Sequence, residues 1–263
     1  MVPQCDCATV HNLRVHARFH APDAQVPGDL VLLPTEEAEH LTRVLRLKAG
    51  DGLRVFNGRG GEFDATVEQA GKSGVRVRLR SARQPAKEAS VAITLAQAVL
   101  KGDKMDDVVR DAVMLGVAAI QPVVTERTEI TRALLARGRR GDRWERIAIS
   151  SAKQCGRATV PPILEPLEFP DLADALATLT LPQPALMFVE PDTGADASML
   201  SEMDQSPQRE ATVIIGPEGG WASGEIERAA SVCRMVTLGG RTLRADAMPV
   251  VALSALFTIW REF

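Results

Sequence analysis

The sequence predicts an α/β protein, a mostly parallel sheet covered by helices, preceded by a small β-rich unit. Three observations lead there. Residues 11–80 hold short strand-like runs separated by glycine and proline turn signals. From residue 91 onward, near-continuous apolar runs alternate with amphipathic stretches, the pattern of strands buried on both faces and joined by crossover helices. Between them, SARQPAKEAS (81–90) has the composition of a linker. The expected division is 1–82 for the β-rich domain and 90–263 for the α/β domain.

In the first domain, strands are expected at 14–19, 29–33, 52–57, 62–67 and 74–79. Val75, Val77 and Leu79 alternate with Arg76, Arg78 and Arg80, so the last strand has one apolar and one cationic face. A short helix is expected at 36–47, with Ala38, Leu41, Val44 and Leu45 inward and Arg43, Arg46 and Lys48 along one edge. The set reads as a compact barrel with one helix.

In the second domain, VAITLAQAVL (91–100) suits a strand covered on both faces. Asp103 is positioned to cap a helix whose Met105, Val108, Val109 and Ala112 face inward and which ends at Gly116. With a further strand at 117–122, this is a parallel crossover unit. Asp142 and Glu145 have the spacing of a capping box that opens a helix to about 154, with Trp144, Ile147 and Ala148 inward. Later elements are a helix at 171–179, a strand at 185–190, an acidic turn-rich stretch at 193–208 and a strand at 212–215. A helix at 225–232, a strand at 236–238 and a closing helix at 247–260 follow. The closing helix shows Val250, Val251, Leu253, Leu256, Phe257 and Trp260 as its apolar face, and Pro249 fits only within its first turn.

Composition narrows the function classes. No apolar run reaches the roughly 18–20 residues of a membrane span, and MVPQCDCATV lacks the cationic start and apolar core of a signal peptide. The four cysteines form neither a disulfide framework nor a zinc-site spacing, which fits a reduced, cytoplasmic protein. Tyr is absent and aromatics are 4%, too few for a single-strand binder built mainly from stacking platforms. The net charge of −3 hides an asymmetry: 126–157 holds nine Arg or Lys against four acids, and 162–232 two Arg against thirteen acids. A local basic patch can therefore meet a polyanion, although RALLARGRRGDR (132–143) is by itself equally compatible with a solvated loop.

The chemistry centres on TVIIGPEGG (212–220), a β-branched strand that stops at Gly216-Pro217 and turns on glycines toward a helix. Such a turn presents backbone N–H and C=O groups to a ligand. VTLGGRTLR (236–244) repeats the arrangement, and two such units so close together suggest one site. Neither loop is GxGxxG or GxxxxGK[ST], and Glu218 repels a triphosphate. A neutral or cationic ligand, such as an adenosine carrying a sulfonium, suits the charge better. All four histidines precede residue 41, so the α/β domain has no His base of its own. There is no HExxH, GxSxG or CxxC, and no metal site is expected.

Five segments in order carry a family resemblance. They are HLTRVLRLKAGD (40–51) with FNGRGGEFDA (56–65), KGDKMDDVVRDAVMLGVAAIQPVVTERT (101–128), RWERIAISSAKQCGRATVP (143–161), IGPEGGWASGEIERA (215–229) and LGGRTLRADAM (238–248). Together the chain resembles the ribosomal RNA methyltransferases that make N3-methyluridine in small-subunit (16S) rRNA, in the SPOUT class. The resemblance implies a PUA-like RNA-binding β-barrel domain and a C-terminal domain with a deep trefoil knot. General topology rules argue against a knot. It also implies S-adenosylmethionine as cofactor, a homodimer with the cofactor site near its interface, and 16S rRNA in the assembled small subunit as substrate.

Carried onto this sequence, the resemblance makes Gly216, Pro217, Glu218, Gly219 and Gly220 one cofactor loop. Leu238, Gly239, Arg241, Thr242, Leu243 and Arg244 form the other. Arg244 and Asp246 are the candidate catalytic residues: Arg244 to stabilise charge on O2/O4 of the uracil, Asp246 to orient it or take the N3 proton. Arg43, Arg46, Lys104, Lys153, Gln154 and Arg157 are the RNA candidates, chiefly for phosphates. The chain departs from the family's pattern at Met114, Ser150, Ala245, Asp246 and Ala247, where Glu or hydroxyl residues are usual. Two alternatives accompany this reading: a knotted RNA methyltransferase with another target, such as a ribose 2′-OH, and a non-catalytic RNA-binding or assembly protein.

Overall fold

The computed structural model describes residues 17–263 except 72, 139, 182, 192, 194, 195, 204 and 207. Cys5, Cys7, His11, His16 and the first residues of the strand expected at 14–19 lie outside the described residues. The chain divides into two units between Pro85 and Ala86.

The first unit is built on strands β1 (Arg18–His20), β2 (Leu30–Leu32), β3 (Gly52–Phe56), β4 (Glu62–Gly71) and β5 (Gly74–Arg83). They form one sheet in the order β1-β3-β4-β5-β2, with β1 parallel to β3 and the other pairs antiparallel. The period of two in β5 works as read: Val75, Val77 and Leu79 are buried with Phe19, Leu53 and Val55. The arginines of β5 point outward and are partly engaged there. Arg78 donates to Glu68 at 3.0 Å and Arg80 to the Thr66 hydroxyl at 3.1 Å.

The helix expected at 36–47 is shorter and changes pitch. Helix α1 (Thr35–Glu39) runs into a π-helical turn, His40–Val44, in which the Leu45 N–H donates to the His40 carbonyl five residues back. Ala38 and Leu41 are buried as expected, but Val44 is 67% and Leu45 39% exposed. A wider turn advances each residue by a smaller angle, so the apolar stripe of a regular α-helix no longer faces one side.

The second unit is a seven-stranded parallel sheet of β6 (Ala92–Ala98), β7 (Ala119–Val124), β8 (Leu167–Glu168), β9 (Ala185–Phe188), β10 (Ser198–Met199), β11 (Glu210–Ile215) and β12 (Arg234–Thr237). Their order is β10-β12-β9-β11-β6-β7-β8. Strand β11 lies between β6 and β9, with Thr212 opposite both Thr94 and Ala185, and its residues from Ala211 to Ile215 are buried. The β-branched run that marked it as a core strand is thus explained by two-sided cover. Its helices are α2 (Lys104–Leu115), α3 (Arg132–Arg137), α4 (Arg140–Cys155), α5 (Phe169–Ala177), α6 (Ser223–Ala229) and α7 (Met248–Ile259). After β11 the chain crosses to the far side of β9 to make β12, and α7 then returns to pack on α2 and β11.

Several local expectations are corrected. Helix α4 begins at Arg140, so Asp142 lies inside its first turn and is no cap. An acid there still complements the helix dipole. Asp103 holds the N-cap position of α2, but its carboxylate accepts from Arg143 at 3.1 Å and makes no cap bond. The basic stretch RALLAR is helix α3, capped by Thr131 and anchored by buried Leu135. Strand β10 falls inside the stretch expected to be turns, and in α7 Val251 is 40% exposed while Ala252 takes a buried place. Among the described residues, no helix is long and apolar enough to cross a membrane.

Candidate active site

A cavity of about 320 Å³ opens beyond the carboxyl ends of β9, β11 and β12. That is where ligands sit in open parallel sheets, because the loops leaving neighbouring strands diverge there. Both glycine loops reach it. Gly216, Pro217, Glu218 and Gly220 line one side, and Leu238, Arg241, Thr242, Leu243, Arg244 and Asp246 the other. Gly219 and Gly239 belong to the same loops but are not part of the lining.

The first loop is held from several directions. Its glycines are required sterically: a Cβ on Gly216 would sit 2.9 Å from the Trp221 ring, and Gly220 has φ +68° with the Glu190 carboxylate 2.6 Å from where a Cβ would be. Trp221 is buried against Phe169 and donates its ring N–H to the Phe188 carbonyl at 2.9 Å. Arg127 donates to the Gly219 carbonyl at 2.8 Å. Glu225, 7% exposed, accepts from the Glu126 N–H at 2.9 Å and the Ala222 N–H at 3.0 Å, tying the loop's exit to the segment after β7. Glu218 accepts from the Lys101 N–H at 3.2 Å and the Lys104 ammonium at 2.9 Å. Burial alone would raise the Glu218 carboxyl, but the hydrogen bonds from Lys104 and from backbone hold it below its ordinary value.

The second loop is open. Residues 241–244 are exposed. Arg244 grips Asp246 through two hydrogen bonds, Nε to Oδ1 at 3.0 Å and Nη2 to Oδ2 at 2.7 Å. The guanidinium is 75% exposed and the carboxylate 24%. The hydrogen bond from Arg244 holds the Asp246 carboxyl below its ordinary value, and the same bond raises Arg244.

The RNA candidates separate. Arg43 is exposed beside Glu39, at 3.4 Å, and Arg46 is exposed with φ +53°. Gln154 is exposed and Lys153 half-buried near the end of α4, whereas Lys104 lines the cavity. Arg157 is a correction. It is 6% exposed and donates to the Val113 carbonyl at 2.7 Å, the Val117 carbonyl at 3.0 Å and Glu88 at 2.8 Å. The Val113 carbonyl, in the last turn of α2, also takes the Gly116 N–H, the Val117 carbonyl lies just past the helix, and the planar guanidinium fork reaches both at once. It is a buried brace, with its guanidinium taken up inside the domain.

Sequence reading missed Phe188, Glu190, Trp221 and Met248, which also line the cavity, and Arg127 behind it. One signal was available: Glu190 closes the apolar run ALMFVE, and a charge at the carboxyl end of a buried strand points to a site. Of the departures from the family pattern, Ala245 lines the cavity, Ser150 and Ala247 are exposed, and Met114 is 38% exposed on α2. The walls combine backbone at the glycines, apolar Phe188, Ile215, Trp221 and Met248, acids Glu190, Glu218 and Asp246, and bases Lys104, Arg241 and Arg244. That set fits a flat nucleoside whose attached chain carries charges of both signs. Among the described residues no cluster of His, Cys, Asp and Glu is arranged to hold a metal ion.

Known proteins place this geometry. Residues 87–257 match the RNA methyltransferase domain family, and residues 33–80 the RNA methyltransferase PUA domain family. The ribosomal RNA small subunit methyltransferase E of Synechocystis is 34% identical over 240 residues, covering 90% of this chain and 75% of that protein. A ribosomal RNA small subunit methyltransferase E from Neisseria gonorrhoeae, solved bound to S-adenosyl methionine, matches with TM-score 0.81 at 32% identity, over 93% of this chain and 98% of that one. A Legionella pneumophila protein solved with the cofactor SAM matches with TM-score 0.81 at 30% identity, over 92% and 97% of the two chains. The chain belongs to the RNA methyltransferase family, with an N-terminal PUA-like domain and a C-terminal α/β methyltransferase domain of the SPOUT type.

Proposed function

We propose that the protein methylates N3 of a uridine in 16S rRNA of the small ribosomal subunit, using S-adenosylmethionine. The observation that carries this reading is the meeting of both glycine loops on one cavity, with a paired Arg244 and Asp246 beside them. Its relatives are named for small-subunit rRNA methylation, and two similar structures hold the cofactor. In the bound state, S-adenosylmethionine supplies an electrophilic methyl group on a sulfonium.

Gly216, Pro217, Gly220, Leu238, Thr242 and Leu243 hold the adenosyl part against backbone, with Trp221 and Met248 as apolar cover. Gly219 and Gly239 shape the two loops, and Glu218, Glu190 and Arg241 complete the polar rim. Uridine N3 has no free lone pair until its proton leaves, so the site must favour a uracil anion. Arg244 supplies that stabilisation toward O2 or O4. Asp246, shorter than the family's usual Glu, still reaches both guanidinium nitrogens. Its depressed pKa makes it a weak proton acceptor, so its role is to orient Arg244 while solvent removes the proton.

Arg43 and Arg46 in the PUA-like domain, and Lys153 and Gln154 on α4, contact the RNA backbone. Two chains pair as a homodimer near the cofactor site, the return of α7 completes a trefoil knot, and the enzyme works in the cytoplasm. The two functional domains are 1–82 and 90–263. Unmodified small subunits incubated with labelled S-adenosylmethionine test the reading, with methylated bases mapped. Label on a uridine N3 is expected. Label on a ribose 2′-OH, or no cofactor binding by calorimetry, overturns it.

A further inference from the structure

We propose that Lys104 is a positioning residue for the cofactor loop, acting through Glu218: the ammonium pins the carboxylate, and with it Pro217 to Gly220, to the first turn of α2. This rests on the cofactor reading of the cavity given above.

Glu218 is the one acid in the first glycine loop, and its carboxylate is only 21% exposed. Its Oε1 accepts from the Lys101 N–H, in the turn that leads into α2, at 3.2 Å and from the Lys104 ammonium, at the start of α2, at 2.9 Å. The loop and the start of α2 are 114 residues apart in sequence, so this tie sets where the loop stands relative to another element of the domain. Lys104 itself lines the cavity and is 36% exposed.

A typical exposed ion pair contributes little, because water competes for both partners. This pair differs because its acid is largely withdrawn from water at a loop whose backbone forms the cavity wall. Removing the ammonium leaves Glu218 with backbone N–H donors alone, so the loop loses its side-chain tie to α2. Glu190, Glu218 and Asp246 are matched in the lining by Lys104, Arg241 and Arg244, so removing the Lys104 charge leaves the cavity with one net negative charge. Arg127 and Trp221 hold other points of the loop, at the Gly219 carbonyl and the Phe188 carbonyl, and keep it folded when the Lys104 tie is cut. A loss of cofactor affinity without loss of the fold is therefore the signature.

The test uses the full chain and four variants: Lys104→Met, Lys104→Arg, Glu218→Gln and the double variant Lys104→Met/Glu218→Gln. S-adenosylmethionine affinity is measured by calorimetry, and turnover on unmodified small subunits in parallel. Lys104→Met and Glu218→Gln are each expected to weaken cofactor binding about tenfold, and the double variant no more than either alone, since both cut one tie. Lys104→Arg restores most of the affinity. Unchanged cofactor affinity in Lys104→Met overturns the proposal, as do losses that multiply in the double variant. A loss confined to salt-sensitive binding of the small subunit also overturns it and makes Lys104 a phosphate contact. A wild-type chain that binds no S-adenosylmethionine sinks the cofactor reading first, which separates the two failures.

Discussion

The two loops that meet at the cavity are built to opposite specifications. The loop after β11 is braced at nearly every residue: Trp221 wedges under Gly216, Arg127 holds the Gly219 carbonyl, and Lys104 and the Lys101 N–H hold Glu218. The loop after β12 is exposed from Arg241 to Arg244 and carries one strong side-chain tie, the Arg244–Asp246 pair. A wall that must meet a small cofactor with its backbone gains from rigidity, because a preformed surface loses little ordering entropy on binding. The loop after β12 also meets the cofactor, through Leu238, Thr242 and Leu243, but at Arg244 it must admit a base from a large RNA and gains there from being open. The contrast extends to single side chains: Arg157 is buried among carbonyls, Arg244 is mostly in solvent.

The largest expected effect tests that last contrast. Arg157→Ala strips the ion-pair partner from Glu88 and the donor from the Val117 carbonyl, leaves the Val113 carbonyl with the Gly116 N–H alone, and is expected to cost about 3 kcal/mol of stability. That corresponds to a melting temperature lower by roughly 6–12 °C, with cofactor affinity of the folded enzyme unchanged. A normal melting curve with weakened small-subunit binding would return Arg157 to the RNA contacts. Next, Arg244→Ala is expected to lower turnover about a hundredfold while calorimetry finds cofactor affinity within about threefold. Equal loss in both would make Arg244 a cofactor contact rather than a catalytic one.

Gly216→Ala probes the rigid wall. The added methyl meets a buried indole at 2.9 Å, so the loop must shift. Cofactor affinity is expected to fall at least about tenfold, from an overpacking cost of roughly 1–3 kcal/mol. The same change at Gly240, which has open space around it, is expected to leave affinity unaltered. An equal response at both sites would erase the distinction between the walls.

The smallest effect concerns pH. The hydrogen bond from Arg244 lowers the Asp246 pKa below 3.8. A depressed carboxyl favours the folded pair above its unfolded value and loses that advantage as pH falls through the lower folded value. Asp246 therefore stays ionised throughout the range of about pH 6–9 in which such enzymes are assayed. Asp246→Asn is expected to reduce the rate by roughly threefold to tenfold and to leave the shape of the kcat/KM profile in that range unchanged. If the acid limb of the profile vanishes in Asp246→Asn, the carboxylate is the proton acceptor.

Much of the fold was legible because it follows from local periodicity. VAITLAQAVL and TVIIGPEGG read as buried strands and are β6 and β11, at the centre of the sheet. The alternating residues of β5 divide between core and surface as read. The failures have local physical causes. The π turn after Glu39 rotated Val44 and Leu45 out of the stripe that a regular helix would bury. The two-residue strand β10 is too short for any periodicity to show. At the site, both glycine loops were evident from the sequence and Glu190 left a signal at the end of ALMFVE, whereas Phe188 and Arg127 left none, because each comes from another part of the domain.

The sequence by itself determined that two strands end in glycine turns, that parallel crossover units surround them, and that no common phosphate loop is present. Those are properties of short stretches, set by backbone freedom and by which residues tolerate burial. Only the tertiary structure decided what each charged side chain does. Lys104 and Arg157 both entered as cations suited to phosphate. Packing set the first beside Glu218 at the cavity and the second against the carbonyls of Val113 and Val117 at and just past the end of α2. A charge acts on whatever lies within a few ångströms of it, and that neighbourhood is assembled from segments far apart in the chain.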